Sequence, residues 1–419
     1  MNRLLLGFIL IAFGAAAYKA AHYPVAATFQ APAKSVESNG EVRFQSHFAS
    51  SKQHIQTHAA SLIELKDGRM RAFWFSGSRE GAKDVEIHSA VFDPRLDAWG
   101  AEQVVAGREG MQQSLMRYTS KLGNPVAARA ADGTLWLYFV TVSVGGWAGS
   151  SITALSSVDE GATWSPARRL VTSPFLNVST LAKGAPFMYS DGTMGLPVYH
   201  EFIGKFGELL RFDQTGKLIS KQRLSAAKDH GLQPVMLVKN PNEALVLMRH
   251  AGDEHRKVIG VSTVDGGQHW TAPAQTVLSN PDAALSALTL PDGRMLVVLN
   301  NQEQGRDALS LMLSTDGGTS WKNVYQLEDQ RQQPTDQAHY LKTVEGLVKD
   351  MVVTNAGDYV DSVKGQLCAG EACRYEFSYP YLIRAQNGDL HLVYTWNRSF
   401  IKHVTFTPAW LEQRLANHD

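Results

Sequence analysis

Cysteine is almost missing from this chain: among 419 residues only Cys368 and Cys373 occur, in QLCAGEACRY. Neither C-x-x-C nor H-E-x-x-H is present, which excludes the metal centres those spacings build, and no metal or cofactor is expected. Two cysteines separated by a short stretch containing Gly370 are instead expected to close a small disulfide loop in an exported protein. Net charge is missing too. Forty Lys and Arg balance forty Asp and Glu, and no dense basic run occurs, so the electrostatic footprint of a nucleic-acid partner is absent. Long helical periodicity is nearly absent, apart from TPAWLEQRLA near the C-terminus.

Long apolar runs are confined to the N-terminus. MNRLLLGFILIAFGAAAYKAAHYP has an early Arg3, an apolar run from Leu4 to Ala17, and small residues at Ala15, Ala16 and Ala17. Residues 1–22 therefore read as an export signal, either cleaved or retained as a membrane anchor. No cysteine follows the run, so a lipid anchor is not indicated. The expected destination is the periplasm, in free or membrane-tethered form, or the exterior.

What is present is repetition. SVDEGATW from Ser157, TVDGGQHW from Thr263 and STDGGTSW from Ser314 share one pattern, with weaker copies from Ser89 and Leu209. Asp caps the turn through its own backbone, Gly supplies positive φ, and Trp packs beneath the loop. These are folding devices and carry no catalytic signal. A second repeat places hairpin turns between alternating apolar runs at Asp67, Asp132, Asp191, Asn240, Asp292 and Asn387. Six such units, each long enough for a four-stranded antiparallel sheet, predict an all-β, six-bladed β-propeller over residues 40–410. The stretch from Glu328 to Glu376 lacks the Asp pattern and reads as an elaborated insertion.

Seven to nine residues before each turn, where an inner strand begins, stand His58, Asn124, Lys183, Gln233, Ala284 and Tyr379. Pro follows three of them, at Pro125, Pro234 and Pro380, which suits strand starts. About nine residues after each turn stand Ser76, Thr141, His200, Arg249, Asn301 and Trp396, with Arg79 and Arg306 further out. Both sets are expected at one mouth of the propeller. Inward arginines are costly unless an anion or carboxylates meet them, and a guanidinium fork matches a carboxylate bidentately. An acidic sugar is the expected partner. Trp147 in VGGWAGSS is either a sugar-stacking platform or a rim residue.

The Asp repeats, SGSREGAKD, LVLMRH, NQEQGRDALSLMLSTDGG and FSYPYLIRAQNGDLHLVYTW together resemble the sialidase (neuraminidase) superfamily, in particular its bacterial BNR/Asp-box members. The resemblance covers the chain from about Thr57 onward. It implies an arginine triad gripping a sugar carboxylate, an Asp general acid/base on a loop, and a tyrosine nucleophile, outside the two-carboxylate scheme of most glycosidases. By resemblance, Arg249 and Arg306 stand at triad positions, Asp84 at the acid/base position with Arg79 ahead of it, and Tyr379 at the nucleophile. Departures accompany it. His58 stands where the first triad arginine is expected, Gln233 where a Tyr-activating Glu is expected, and Asn124 where a sugar-contacting Asp is expected. Glu201 and Glu376 are the candidates to replace the lost carboxylate.

The expected function is an exo-acting, retaining hydrolase releasing a terminal acidic sugar, sialic acid or a related 2-keto acid. Two alternatives follow from the same residues. One is a lyase on uronates, with His200 or Tyr379 abstracting a proton; the other is a glycan-binding propeller without turnover.

Overall fold

The computed structural model describes residues 3–21, 27–33, 40–49, 56–173, 177–225, 230–252, 256–331, 336–350 and 356–416. Six small antiparallel sheets form a six-bladed β-propeller. Blade 1 runs outward from Gln56–Glu64 through Met70–Gly77 and Glu86–Asp93, and its outer position is shared by Ala98–Trp99 and Gln103–Ala106. Blade 2 comprises Lys121–Arg129, Leu135–Val142, Ser150–Ser157 and Arg168–Arg169. In blade 3 two short segments, Leu181–Ala182 and Phe187–Met188, pair with Met194–His200, followed by Phe206–Phe212 and Leu218–Arg223. Blade 4 holds Gly231–Val238, Ala244–His250, Lys257–Thr263 and Ala274–Ser279. Blade 5 holds Ser286–Thr289, Met295–Leu299, Ala308–Ser314 and Lys322–Asp329.

Blade 6 closes the ring. Its inner strands Phe377–Arg384, Leu390–Trp396 and Phe400–Phe406 receive their outermost partner, Phe44–Phe48, from the far N-terminal side, with Phe44 opposite Phe406 and His47 opposite His403. This ladder joins the first and last blades without leaving an open edge at the seam.

The Asp repeats do what their chemistry predicts. Ser157 Oγ lies 2.7 Å from Asp159 and accepts from Gly161 N, while Asp159 accepts from Thr163 N at 2.9 Å. The copies at Thr263 and Ser314 repeat the geometry, and Trp270 and Trp321 each donate their indole N–H to the turn glycine's carbonyl at 3.1 Å. Gly161, Gly267 and Gly318 have φ of 85°, 86° and 96°, which a side chain would resist. Packing fills the wedges between blades. Between blades 5 and 6, for example, Leu296, Val298, Leu309 and Leu311 meet Leu382, Leu392, Tyr394 and Val404, all buried. Each such side chain contributes about 1.5–3 kcal/mol on leaving water.

One expectation is corrected. The insertion is helical, with Gln337–Asp350 and Ala356–Leu367 followed by a two-residue hairpin in which Cys368 and Cys373 are bonded. Two of its apolar i,i+4 pairs, Tyr340 with Val344 and Val363 with Leu367, set among Gln, Asp and Gly, are buried against blades 5 and 6. At the N-terminus, Arg3–Ala21 is a helix, and no described helix is long and apolar enough to cross a membrane. Met1, Asn2 and His22 of the expected export segment lie outside the described residues.

Candidate active site

Four inner strands carry the same irregularity at their mouth end. The ladders slip between His58 and Ser61, Gly123 and Val126, Leu232 and Val235, and Ser378 and Tyr381. Within each slip one non-glycine residue is left-handed: Ala59 (φ 55°), Asn124 (47°), Gln233 (54°) and Tyr379 (55°). Such a bulge re-aims a side chain out of the ladder, and a strained φ repeated at one level in four blades marks a site rather than a defect. Pro125, Pro234 and Pro380 fit here because the following residue's N–H has no ladder partner to lose. In blade 1 the equivalent bulged residue is Ala59, one beyond His58.

Tyr379 stands at the centre. Its hydroxyl oxygen receives Arg249 Nη1 at 3.2 Å and Gln233 Nε2 at 3.3 Å, and Arg249 Nη1 also reaches Gln233 Oε1 at 3.2 Å. Gln233 thus joins the nucleophile candidate to the arginine without offering a negative charge. Asn124 Nδ2 donates to Tyr199 OH at 3.4 Å. Burial raises the Tyr199 phenol well above its ordinary range, and the neighbouring Tyr379 and Glu201 add to it.

From Arg249 a chain of charge runs around the mouth. Arg249 Nε donates to Asp282 at 2.6 Å; Asp282 is itself left-handed and gives its carbonyl to Arg306 Nη2 at 2.8 Å. Arg306 Nη1 reaches Glu376 Oε1 at 3.2 Å, and Arg398 Nε reaches Glu376 Oε2 at 2.7 Å. Ser378 Oγ adds a third donor to Glu376 at 2.9 Å. Burial alone would raise the Glu376 carboxyl, but the Arg398 guanidinium, by charge and hydrogen bond, and the Arg306 guanidinium outweigh it and hold it at about 2. Three arginines therefore face one mouth, from blades 4, 5 and 6.

Arg398 was not among the sequence-derived candidates. It lies two residues beyond Trp396, and the outward step that selected Arg79 and Arg306 would have reached it. Asn397 and Arg398 are both left-handed, and the Arg398 carbonyl accepts from Thr57 N at 2.8 Å, so the turn aims the guanidinium toward the blade 1 side. His58 is buried beside it, with its ring 4.3 Å from the Tyr379 ring. Burial, then the Arg398 charge, pushes the imidazole well below its ordinary value, so it is neutral.

The charged loop of the SGSREGAKD motif splits its roles. Asp84 is exposed and accepts from both Ser78 N and Ser78 Oγ at 2.9 Å, while Arg79 lines a groove of about 500 Å³ with Lys83, Ser120 and Lys121. Glu80 turns the other way, reaching Arg398 Nη1 at 3.5 Å, with its backbone N–H held by Gln56 Oε1. Glu201 faces the mouth from blade 3. Burial raises its carboxyl, Arg249 and Lys205 oppose that, and Asp282 and Glu80 add to it. His200 stacks on Phe206 with centroids 4.7 Å apart, and its Nε2 accepts from Ile203 N at 3.2 Å. Trp147 packs its ring edge over Gly123, where an added Cβ would lie 2.9 Å away, and carries Lys121 Nζ over its face at 5.8 Å.

Below the mouth, Lys183 reaches from blade 3 to the Pro380 carbonyl of blade 6 at 3.2 Å, its ammonium 5.0 Å from the Tyr381 ring and 5.8 Å from the Tyr379 ring. Burial lowers this amine to about 7. Among the described residues, no group of three or more His, Cys, Asp or Glu could hold a metal ion.

A sequence profile of the BNR repeat-like domain matches residues 68–392. No curated protein matches the chain in sequence. Among solved structures, the Hadza microbial sialidase Hz136 superposes with TM-score 0.62 at 14% identity, over 84% of this chain and 66% of that one. The intramolecular trans-sialidase from Ruminococcus gnavus gives TM-score 0.61 at 11% identity, covering 87% of this chain and 97% of that chain. The NanB sialidase from Streptococcus pneumoniae gives 0.59 at 10% identity, over 92% and 71%. At such identities the likeness is one of fold.

Proposed function

The chain belongs to the BNR repeat-like domain family, and on that premise we propose that it is an exo-acting, retaining glycoside hydrolase that releases a terminal acidic sugar, sialic acid or a related 2-keto acid. The observation that carries the reading is the hydrogen-bonded set of Tyr379, Arg249 and Gln233, continued through Asp282 to Arg306, Glu376 and Arg398. A tyrosine oxygen beside a chain of guanidiniums suits attack on an anomeric carbon whose neighbouring carboxylate the arginines hold. That the fold is shared with sialidases and a trans-sialidase supports the substrate class.

In this reading Tyr379 Oη bonds to the anomeric carbon while the glycosidic bond breaks, and the leaving oxygen takes a proton from Asp84. Glu201 takes the phenolic proton; burial raises its carboxyl, which makes it a stronger proton acceptor than an ordinary carboxylate. Water then displaces Tyr379, so configuration at the anomeric carbon is retained. The N-terminal helix serves as export signal or tether, delivering the propeller to the periplasmic side.

The test is hydrolysis of fluorogenic ketosides of N-acetylneuraminic acid, Kdn and Kdo by wild type and Tyr379→Phe. Release that falls by at least about 1,000-fold in the variant supports the reading, and no release from folded wild type overturns it. Gln233 favours a second reading, a glycan-binding propeller without turnover, because an amide cannot accept the phenolic proton. The lyase reading is weakened at His200, whose Nε2 lone pair is already engaged by Ile203 N.

A further inference from the structure

The guanidiniums of Arg249, Arg306 and Arg398 are each already paired with a carboxylate, so an anionic ligand competes with those carboxylates for them. The three answering groups are not equal. Glu376 has a side chain only 6% exposed and is held by two arginines and Ser378. Asp282 is about as exposed as Glu80, at 40%, but it binds Arg249 at 2.6 Å and lends its carbonyl to Arg306. Glu80 makes the longest of these contacts, 3.5 Å to Arg398, with its side chain 35% exposed, on a loop and not a strand. An ion pair of that length and exposure is worth little and exchanges readily. Glu80 also faces inward, since the guanidinium it meets is the one that binds the buried Glu376.

We propose that Glu80 is a specificity-determining residue: its carboxylate occupies the anion seat on Arg398 in the free protein, and the carboxylate of an acidic ligand takes that seat by exchange. The proposal rests on the reading that this mouth receives an anionic sugar. Two consequences follow. A neutral sugar has nothing to offer Arg398 in return and leaves Glu80 in place. An acidic one frees the Glu80 side chain and so removes one of the ties on the segment from Ser78 to Asp84, the other being the Gln56 contact to Glu80 N. Binding of the sugar's carboxylate is thereby coupled to the position of the loop that carries Asp84. Arg398 supplies the third guanidinium of the mouth from blade 6, where blade 1 offers the neutral His58.

The experiment separates this from the hydrolase reading by using a bare carboxylate. Thermal unfolding of the full chain is followed against sodium lactate, with sodium chloride at equal ionic strength as control, for wild type, Glu80→Gln, Glu80→Ala, Gln56→Ala and Glu80→Gln combined with Arg398→Met. The expected result is half-saturation by lactate at a concentration about fivefold lower in both Glu80 variants than in wild type, the factor expected for removing an exposed competing ion pair. A smaller gain is expected in Gln56→Ala, and none in the double variant. Equal or weaker lactate response in both Glu80 variants overturns the proposal, as does a gain that survives loss of Arg398. A lactate gain without ketoside turnover sinks the hydrolase reading and leaves Glu80 standing. Turnover that depends on Tyr379 without a lactate gain does the reverse.

Discussion

Replacing Lys183 with Met should stabilise this protein below neutral pH and stop doing so in alkali. The amine is buried with no carboxylate against it among the described residues, and burial alone lowers it from 10.5 to about 7. That interval corresponds to about 5 kcal/mol between charged and neutral forms. Set against it are the contacts Met would lose: one bond to the Pro380 carbonyl, about 1 kcal/mol, and ring contacts to Tyr381 and Tyr379 at 5.0 and 5.8 Å, roughly 1–2 kcal/mol together. The sign follows from proton counts. Between pH 7 and 10.5 the unfolded chain holds the Lys183 proton and the folded chain does not, so wild-type stability rises with pH across that window. Below pH 7 folding must bury the ammonium, and the burden is fully present. Lys183→Met therefore gains about 2–3 kcal/mol near pH 6 and loses about 1 kcal/mol near pH 10.5, where the folded amine is neutral and its bond to the Pro380 carbonyl is what the variant gives up. Urea unfolding of both proteins from pH 6 to 10.5 measures the difference, and subtraction removes titrations they share, including those of His58 and Tyr381 around the amine. A difference that does not change with pH would refute the argument, because it would mean that Lys183 carries the same charge folded and unfolded.

Two further outcomes can be checked. Gln233→Glu sets a carboxylate 3.3 Å from the phenolic oxygen; if Tyr379 is the nucleophile, ketoside turnover should rise by about 10- to 100-fold, read as kcat with little change in KM. At the ring closure, His391 and His403 are buried 3.0 Å apart. Burial, then Arg43, holds His391 at about 4, and burial with His391 beside it holds His403 well below the ordinary value. Their stabilisation is present above pH 6.5 and lost as pH falls toward 4, about 3 kcal/mol for His391. Amide exchange in Phe44–Phe48 should accelerate over that range, and His391→Gln should remove the part that His391 carries while leaving the part set by the burial of His403.

How far the site could be read in advance varied from residue to residue. Tyr379, Gln233 and Asn124 were placed by counting from hairpin turns, because a strand's period is fixed and each is marked by the proline after it. The same count stopped at His58 in blade 1, where no proline marks the bulge and Ala59 occupies it. Arg249 and Arg306 were visible as charges out of place at apolar strand ends. Arg398 was hidden by an ordinary-looking NRS turn, and only its left-handed backbone turns it inward. In the charged loop, composition could name Arg79, Glu80, Lys83 and Asp84 but not say which faces the axis, since a loop has no periodicity to assign faces. The helices of the insertion escaped for a related reason: the apolar pairs they bury make too short a stripe to stand out from their polar surroundings.

Local chemistry written in the chain determined the repeat. Asp, Gly and Trp at fixed offsets can satisfy only a tight turn, and alternating apolar runs between such turns can bury themselves only as stacked small sheets. The blade number and the inner-strand positions follow from that. Tertiary structure alone decided the partners: that Phe44–Phe48 completes blade 6, that Lys183 crosses beneath Tyr379, and that Glu376 gathers Arg306 and Arg398 while Glu80 holds the outer seat. These are contacts between residues far apart in the chain, set by how six wedges pack around an axis, and no local spacing encodes them.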